Sequence, residues 1–151
     1  MTIEVFEHPF DPWQAVADYR SSHLAIGKSG ASAVFVGTMR DFNEGDDVQA
    51  MVLEHYPGMT ESAIAKIAKQ AADRWNLADV LVIHRYGPLK PGAPIMMVAT
   101  ASAHRAAAFE AADFLMDYLK SRAPFWKKEI TTEGASWVAA KDADEDALNR
   151  W

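Results

Sequence analysis

Apolar residues occur along the chain in short runs separated by polar turns, a pattern that predicts β-strands. The clearest run is Ala31–Thr38 (ASAVFVGT), whose small and β-branched residues predict a buried strand. The polar segment 41–47 (DFNEGDD) indicates a solvated turn, and the apolar run 48–56 after it predicts the second strand of a hairpin. Further strands are expected at 3–6 (a sheet edge), 79–85, 95–102 and 125–131, with a short one at 137–138.

Two longer segments repeat their apolar residues at the 3.6-residue period of a helix. The first follows the break at Pro57-Gly58 and has Thr60 as its expected cap. The second spans 103–122 and cannot continue through Pro124. Shorter helices are expected from Asp11-Pro12 to about residue 20, and at 142–151. Two long helices against five or six strands, with hairpins among them, favour an α+β fold over a doubly wound sheet.

Length, composition and charge narrow the choice of function. The chain has 151 residues and is expected to form a single domain, 1–151. Its apolar runs are too short for a transmembrane helix and its first ten residues do not resemble a signal peptide, so we expect a cytoplasmic protein. It has no cysteine, which excludes disulfides and thiol nucleophiles. A net charge of -6 argues against non-specific binding of nucleic acid.

Several familiar kinds of site are missing from the sequence, which has no phosphate-binding glycine loop, no HExxH and no Gly-x-Ser-x-Gly. The segment 41–47 does not have the spacing of an EF-hand. The acids at the start of the last helix (Asp142, Asp144, Glu145, Asp146) are explained by the helix dipole. We interpret His23, His55 and His84, which stand apart from one another, as structural or surface histidines.

Cationic residues are the better candidates for chemistry. His104-Arg105 follows a strand at the start of a helix, where the backbone N–H groups and the helix dipole favour an anion. Lys120 closes the same helix, and Lys127-Lys128 lies on the next strand. A lysine at a helix end can simply complement the dipole, and charged residues can simply protect an edge strand. Because neighbours on a strand face opposite sides, only one of the two adjacent lysines can share a pocket with Lys120.

Large aromatic residues border this basic strand. Most of the five tryptophans and seven methionines are expected in the core, because large apolar residues at regular spacing normally pack there. Trp126 and Trp137 are the exceptions, since they flank the basic strand. They could form the wall of a site for a ring-shaped ligand or seal a subunit interface.

Five collinear segments carry a resemblance to a known family, and they cover most of the chain from about residue 30 onward. By these segments the chain resembles the MoaE family, the large catalytic subunits of molybdopterin synthase. The segments are GTMRDFNEG (37–45), LEHYPGM (53–59), VIHRYG (82–87), SAHRAAAFEA (102–111) and MDYLKSRAPFWKKE (116–129).

The resemblance implies a sulfurtransferase that converts cyclic pyranopterin monophosphate (precursor Z) into molybdopterin during molybdenum cofactor biosynthesis. Two sulfurs would arrive as a thiocarboxylate on the C-terminal Gly-Gly of a small ubiquitin-like partner subunit. The implied assembly is a heterotetramer around a homodimer of the large subunit, with no cofactor and no metal. The implied fold is a mixed, largely antiparallel sheet with two long helices, similar to an α/β hammerhead. A chain without cysteine must receive its sulfur from outside, which agrees with delivery by a carrier.

The resemblance also assigns residues. Lys120 and Lys127 match the family's catalytic lysines, and Arg40, His104 and Arg105 match its anion-binding positions. Thr38 and Met39 line the same stretch, and Lys128 and Glu129 flank Lys127. Two positions depart from the family pattern: Thr38 stands where many relatives carry lysine, and Lys141 where some carry arginine, whose bidentate fork a lysine cannot reproduce.

The separation of these residues along the chain predicts a composite site. A straight helix from His104 to Lys120 would hold the two about 24 Å apart. We therefore expect Lys120 and Lys127 from one subunit to meet His104 and Arg105 from its dimer partner. A non-catalytic docking homologue is the main alternative, although it would need neither lysine, and a phosphate-ester hydrolase would lack a metal site and a nucleophile.

Overall fold

The chain folds into two β-sheets, the first of which lies between layers of helices. The computed structural model describes residues 1–43, 46–138 and 141–151. The strands within these ranges are β1 (Thr2–Phe6), β2 (Ala31–Thr38), β3 (Phe42–Asn43), β4 (Asp46–His55), β5 (Asp79–Arg85), β6 (Gly87–Leu89), β7 (Pro94–Ser102), β8 (Phe125–Thr131) and β9 (Gly134–Val138). The helices are α1 (Pro12–His23), α2 (Met59–Trp75), α3 (Arg105–Ser121) and α4 (Asp142–Ala147), followed by a 3-10 turn at Leu148–Arg150.

The first sheet has the strand order β1-β5-β7-β2, with β1 parallel to β5 and the other pairs antiparallel. Because side chains alternate along a strand, the sheet presents two apolar faces. On β5, Val80 and Val82 pack into a core with residues of α2 and α3, while Leu81 and Ile83 pack with Tyr19 of α1. Helices cover both faces of this sheet, which explains why the sequences of β5 and β7 are almost continuously apolar.

The second sheet has the order β3-β4-β8-β9, and β6 pairs with β4. The buried side chains of β4 and β6 form a separate cluster with Met39, which follows β2; the cluster contains Met39, Val48, Met51, Leu53 and Leu89. The long strand β4 pairs with β8 from His55↔Phe125 to Val48↔Thr131. The strand β8 also pairs with β9, so it lies in the middle of the sheet and its position is fixed from both sides.

Most of the predicted elements are confirmed. The fold is α+β, with mixed pairing in the first sheet and antiparallel pairing in the second. The strands predicted at 31–38, 79–85 and 125–131 have the predicted bounds. The side chain of Asp11 caps α1 by accepting from the backbone N–H of Trp13 and Gln14 at 3.0 and 3.3 Å. None of the helices in the described ranges is long and apolar enough to cross a membrane.

Four expectations need correction. The strand β2 is not buried, because it lies at a sheet edge where Phe35 is 41% exposed. Gly58 rather than Thr60 precedes α2, and the Thr60 hydroxyl lies inside the first turn, donating to the Tyr56 carbonyl at 2.8 Å. The last predicted helix ends at Ala147 and gives way to the 3-10 turn. The segment between β5 and β7, predicted as a turn, contains β6.

The predicted turn at 41–47 is described only in part. Phe42 and Asn43 pair with Asp47 and Asp46, as the predicted hairpin requires. The centre of the turn, residues 44 and 45, lies outside the described residues.

Candidate active site

A cavity of about 520 Å³ lies where the C-terminal end of α3 meets β8 and the end of β2. Its floor is apolar and consists of side chains from both sheets and from α3, among them Met51, Leu53, Ile95, Met96, Leu119 and Phe125. Its polar rim contains four cationic residues, Arg40, Lys120, Lys127 and Lys141. A net-acidic chain therefore concentrates positive charge around one apolar pocket.

Four separate elements supply these cations. Arg40 follows β2, Lys120 is the penultimate residue of α3, Lys127 lies on β8, and Lys141 directly precedes α4. Thr38 and Met39 also line the cavity, and Met39 is buried and held in place because its backbone bonds Ala93 and Gly92. The cavity exists only when both sheets and α3 are in position.

The strand pairing determines which of the two adjacent lysines enters the cavity. Lys127 lies opposite Leu53 on one neighbouring strand and Val138 on the other, and both of these also line the cavity. Lys128 faces the other side, where its ammonium lies 5.7 Å from the ring of Trp137. The structure therefore brings Lys120 and Lys127 together and leaves Lys128 outside the cavity.

Lys127 lies in an unusual electrostatic environment. Its side chain is only 33% exposed, and its ammonium nitrogen lies 3.7 Å from a carboxylate oxygen of Glu129. Burial lowers the pKa of Lys127, and the nearby positive charges of Lys120 and Lys141 lower it further. The negative charge of Glu129 opposes these effects. A lysine that more readily loses its proton is suited to proton transfer.

The end of the chain is attached to the end of α3, and this attachment places Lys141 and Asp144 on the cavity. Ser121 donates its hydroxyl to the backbone carbonyl of Asp144 at 3.0 Å, and Arg122 forms an ion pair of 2.7 Å with Glu145. Asp144 thus lines the cavity, although sequence analysis explained it by the helix dipole alone. The sequence did contain a signal for this: Asp144 lies three residues after Lys141 at the start of a helix, a spacing that puts the two side chains on the same side of the helix.

His84 is the other cavity residue that sequence analysis missed. It is 8% exposed, and its ring stacks on Phe125 with centroids 3.8 Å apart. Its Nδ1 lies 2.8 Å from the carbonyl oxygen of Arg85. Burial lowers the pKa of His84 to about 4, with smaller contributions from the charges of Lys120 and His55, so its imidazole is neutral near pH 7. Residues two apart on a strand share a face, so the sequence positions of Val80, Val82 and His84 predict that all three side chains lie on the α3 side of β5.

His104 and Arg105 lie apart from this cavity. Both are exposed at the N-terminal end of α3, whereas Lys120 lies near its C-terminal end. The four residues therefore do not converge within one chain. The contribution of His104 and Arg105 from a second chain stays a prediction.

Trp126 and Trp137 also lie outside the cavity, on the outer face of the second sheet. They line a shallow groove with Glu54, His55 and Tyr56, and the rings of Tyr56 and Trp126 meet edge to face at 4.5 Å. Their expected contact with a ring-shaped ligand or a subunit interface stays a prediction. Among the residues with described positions, no group of three or more His, Asp or Glu side chains is arranged to hold a metal ion.

Comparison with known proteins identifies the family. The family model described as MoaE protein matches residues 5–122. The molybdopterin synthase catalytic subunit of Cereibacter sphaeroides is 65% identical over 130 residues, covering 85% of this chain and 88% of that protein. The protein of the same name from Pseudomonas aeruginosa is 52% identical over 151 residues, covering 100% of this chain and 99% of that protein.

Solved structures agree. A molybdopterin biosynthesis MoaE protein from Burkholderia ambifaria has a TM-score of 0.82 at 50% identity, covering 99% of this chain and 97% of that one. A complex of subunits 1 and 2 of the molybdopterin-converting factor from Helicobacter pylori contains a chain with the same fold, at a TM-score of 0.74 and 20% identity, covering 93% of this chain and 90% of that one. The sequence match, the match in fold and the matched length all give the same result: this chain belongs to the MoaE family.

Proposed function

We propose that this protein is the catalytic subunit of a molybdopterin synthase and transfers sulfur to cyclic pyranopterin monophosphate. The observation that carries the proposal is that Lys120 and Lys127 line the same cavity, together with two further cations, Arg40 and Lys141. Relatives of this chain are named molybdopterin synthase catalytic subunits, which supports the proposal.

The chemistry of the cavity suits two anionic reactants. The phosphate of the pterin and the thiocarboxylate of a sulfur carrier both gain from nearby ammonium and guanidinium groups. In each transfer the carrier's sulfur forms a bond to a substrate carbon while a carbon–oxygen bond at that carbon breaks, and the oxygen leaves with the phosphate or, after protonation, as water. Water then cleaves the resulting thioester, which leaves the sulfur on the pterin and a carboxylate on the carrier. We assign Lys120 to the thiocarboxylate and Lys127 to proton transfer, for which its lowered pKa suits it.

The sulfur donor is, in this proposal, a small ubiquitin-like subunit with a C-terminal Gly-Gly thiocarboxylate. The chain itself has no cysteine that could carry sulfur. The cavity is open at its rim, where Lys120 and Lys141 are exposed, so that an extended tail can enter. The two-subunit complex from Helicobacter pylori is an assembly of the proposed kind.

A second copy of the chain would complete the site. His104 and Arg105 are exposed at the far end of α3, and the open edge of β2 exposes the apolar side chains of Val34 and Phe35. An exposed apolar edge strand favours association with another chain. We propose a homodimer within a heterotetramer, in which each cavity receives His104 and Arg105 from the neighbouring copy.

The function is tested by reconstitution with precursor Z and a thiocarboxylated carrier, with product measured by the fluorescence of its oxidised derivative. Wild type is expected to form molybdopterin, and Lys120→Ala and Lys127→Ala to lose at least about 100-fold in rate, as for removal of a general acid or base. Lys128→Ala is the matched control, since its side chain points away from the cavity. Carrier binding by wild type without any product would instead favour a docking module.

The composite site is tested by mixing two inactive variants. Lys120→Ala and Arg105→Ala remove residues from opposite halves of the proposed site. Random exchange of subunits would regenerate about one quarter of the wild-type sites, because half of the dimers are mixed and each mixed dimer has one intact site. No recovery of activity, despite subunit exchange shown by differently tagged copies, would contradict the composite site.

A further inference from the structure

We propose that Ser102 and Thr100 are positioning residues, whose buried hydroxyls fix the first turn of α3 and so set where His104 and Arg105 lie on the protein surface. The two hydrogen bonds from these hydroxyls are properties of this chain alone. Their part in catalysis rests on the composite site proposed above, in which His104 and Arg105 serve the cavity of a neighbouring copy.

Two hydroxyls of β7 join this strand to the helix that follows it. Ser102 donates to the backbone carbonyl of His104 at 2.5 Å, and Thr100 donates to the backbone carbonyl of Ala108 at 2.7 Å. Residues two apart on a strand share a face, and carbonyls four apart lie on about the same side of a helix. The spacings also match, since two strand residues span about 6.8 Å and four helical residues about 6 Å. The pair of bonds therefore fixes both the position and the rotation of the first turn of α3 relative to the sheet.

Burial restricts what these hydroxyls can do. Ser102 and Thr100 are each only 1% exposed, and neither lines the cavity, so neither can touch a substrate there. Hydrogen bonds in such surroundings have little competition from water, and losing one leaves a buried carbonyl with one partner fewer. The two residues can therefore act on a ligand only through the backbone that they hold.

His104 and Arg105 depend on that backbone for their direction. Both are exposed, and the side chain of His104 does not cap α3. Within the described ranges neither side chain makes a hydrogen bond or an ion pair. In a site assembled from two chains, the receiving cavity belongs to the other copy and cannot place these residues before the chains meet. Their own chain must place them, and Ser102 does so through the carbonyl of His104 itself.

The first test needs neither carrier nor pterin. The chain has no cysteine, so a nitroxide spin label can be attached at one site only, Arg105→Cys. Removal of either hydroxyl, in Ser102→Ala or Thr100→Val, should loosen the first turn of α3 and narrow the EPR lines of the label. Thr100→Ser keeps the hydroxyl and should give the wild-type spectrum. Thr60→Val is the matched control, because it removes an equally buried hydroxyl that donates to a backbone carbonyl at 2.8 Å, but in α2.

The second test shows which half of the composite site the hydroxyl of Ser102 serves. Ser102→Ala should lower the rate of molybdopterin formation at least about tenfold, because small misplacements of catalytic groups are costly. Mixed with Lys120→Ala, it should recover about one quarter of the wild-type activity, since each mixed dimer has one site with both halves intact. Mixed with Arg105→Ala, which is defective in the same half, it should stay below about one tenth. A general loss of folding in Ser102→Ala would leave both mixtures equally inactive.

The outcomes separate this proposal from the composite site on which it rests. Unchanged EPR lines in both Ser102→Ala and Thr100→Val would overturn the proposal. Equal activities of the two mixtures would also overturn it, provided that the reference mixture of Lys120→Ala with Arg105→Ala recovers activity. A reference mixture without recovery would instead remove the composite site, and the EPR spectra would still decide whether the two hydroxyls fix the first turn of α3.

Discussion

The ammonium nitrogen of Lys127 lies 3.7 Å from a carboxylate oxygen of Glu129, two residues further along β8. Residues two apart on a strand share a face, so both side chains line the same cavity. The negative charge of Glu129 opposes the burial and the neighbouring cations that lower the pKa of Lys127. The carboxylate thus keeps more of the lysine protonated than burial alone would allow.

The first prediction concerns this pair. Glu129→Gln should lower the pKa of Lys127 further, because it removes the attraction that favours the ammonium form. Acylation of Lys127 by an amine reagent, measured by peptide mass spectrometry at neutral pH, should then rise severalfold relative to Lys128. Glu54→Gln, on the outer face of β4, is the control and should leave the reactivity of Lys127 unchanged. A lower reactivity of Lys127 in Glu129→Gln would show that Glu129 does not raise the pKa of Lys127.

The second prediction concerns acid stability. Burial lowers the pKa of His84 from 6.5 to about 4 in the folded chain. Between pH 4 and pH 6.5 the imidazole is therefore protonated in the unfolded chain but neutral in the folded chain. Stability from this group is therefore complete above pH 6.5 and is lost as the pH falls toward 4, by about 3 kcal/mol in total.

The measurement is urea unfolding of wild type and His84→Phe at pH 7 and near pH 4.5. Phenylalanine cannot be protonated, so the variant should lose less stability on acidification by about 2–3 kcal/mol. The ion pair between the chain's amino group and Asp79 weakens equally in both proteins and cancels in the comparison. Equal acid losses in the two proteins would show that His84 is not buried in its neutral form.

The third prediction concerns the last two residues. The indole of Trp151 packs against Trp75 and Phe114 with centroids 5.7 Å away, and its N–H donates to Asp117 at 2.5 Å. Trp151→Ala should therefore cost about 2–3 kcal/mol in the free energy of unfolding, less than a fully buried tryptophan would.

Two controls separate packing from surface charge. Arg150→Ala should cost clearly less stability than Trp151→Ala, because the Arg150 side chain is 50% exposed and solvent screens its ion pairs with Asp113 and Asp117. Trp13→Ala should change stability by less than about 0.5 kcal/mol, since that side chain is 64% exposed. Chemical denaturation of the three variants makes the comparison, and a loss in Arg150→Ala as large as in Trp151→Ala would refute the assignment to packing.

The fourth prediction concerns Gly30, which precedes β2. A Cβ atom at this position would lie 2.3 Å from the carbonyl oxygen of Ala103, the residue before His104. Gly30→Ala should cost at least about 2 kcal/mol, because the clash is with backbone. Gly37→Ala is the matched control at the other end of the strand, where the nearest atoms would lie at 3.5 Å, and its cost should stay below about 1 kcal/mol. Thermal unfolding of both variants decides the matter.

Much of the fold could be predicted because its elements carry regular patterns. Buried β5 and amphipathic α2 and α3 were identified by their apolar residues alone. The strand β6 was missed because three residues with a central proline carry no periodicity, and pairing with β4 alone makes them a strand. The exposure of β2 could not be predicted either, since a central and an edge strand of the same composition differ only in their neighbours.

The site divides in the same way. Lys120 and Lys127 were identified from their charges and from the family motif, but only the pairing of β8 with β4 and β9 shows that Lys127 rather than Lys128 enters the cavity. His84 was missed because it stands apart from the other histidines in the sequence, and Asp144 because it belongs to a group of acids that the helix dipole already explained. Their place on the cavity depends on how β5 and the chain's last helix pack against the end of α3.

The middle strand of the second sheet also bears on how this chain can change over evolutionary time. Along β8 the side chains point alternately into the cavity and to the outer face of the sheet, where Trp126 lies. Pairing with β4 on one side and β9 on the other fixes the register of the strand. Many substitutions on the outward face leave the cavity untouched. A single inserted or deleted codon between Phe125 and Lys127 would instead exchange the two faces, pointing the lysine into solvent and a tryptophan or another lysine into the cavity. Homologous chains should therefore hold the length of this segment constant.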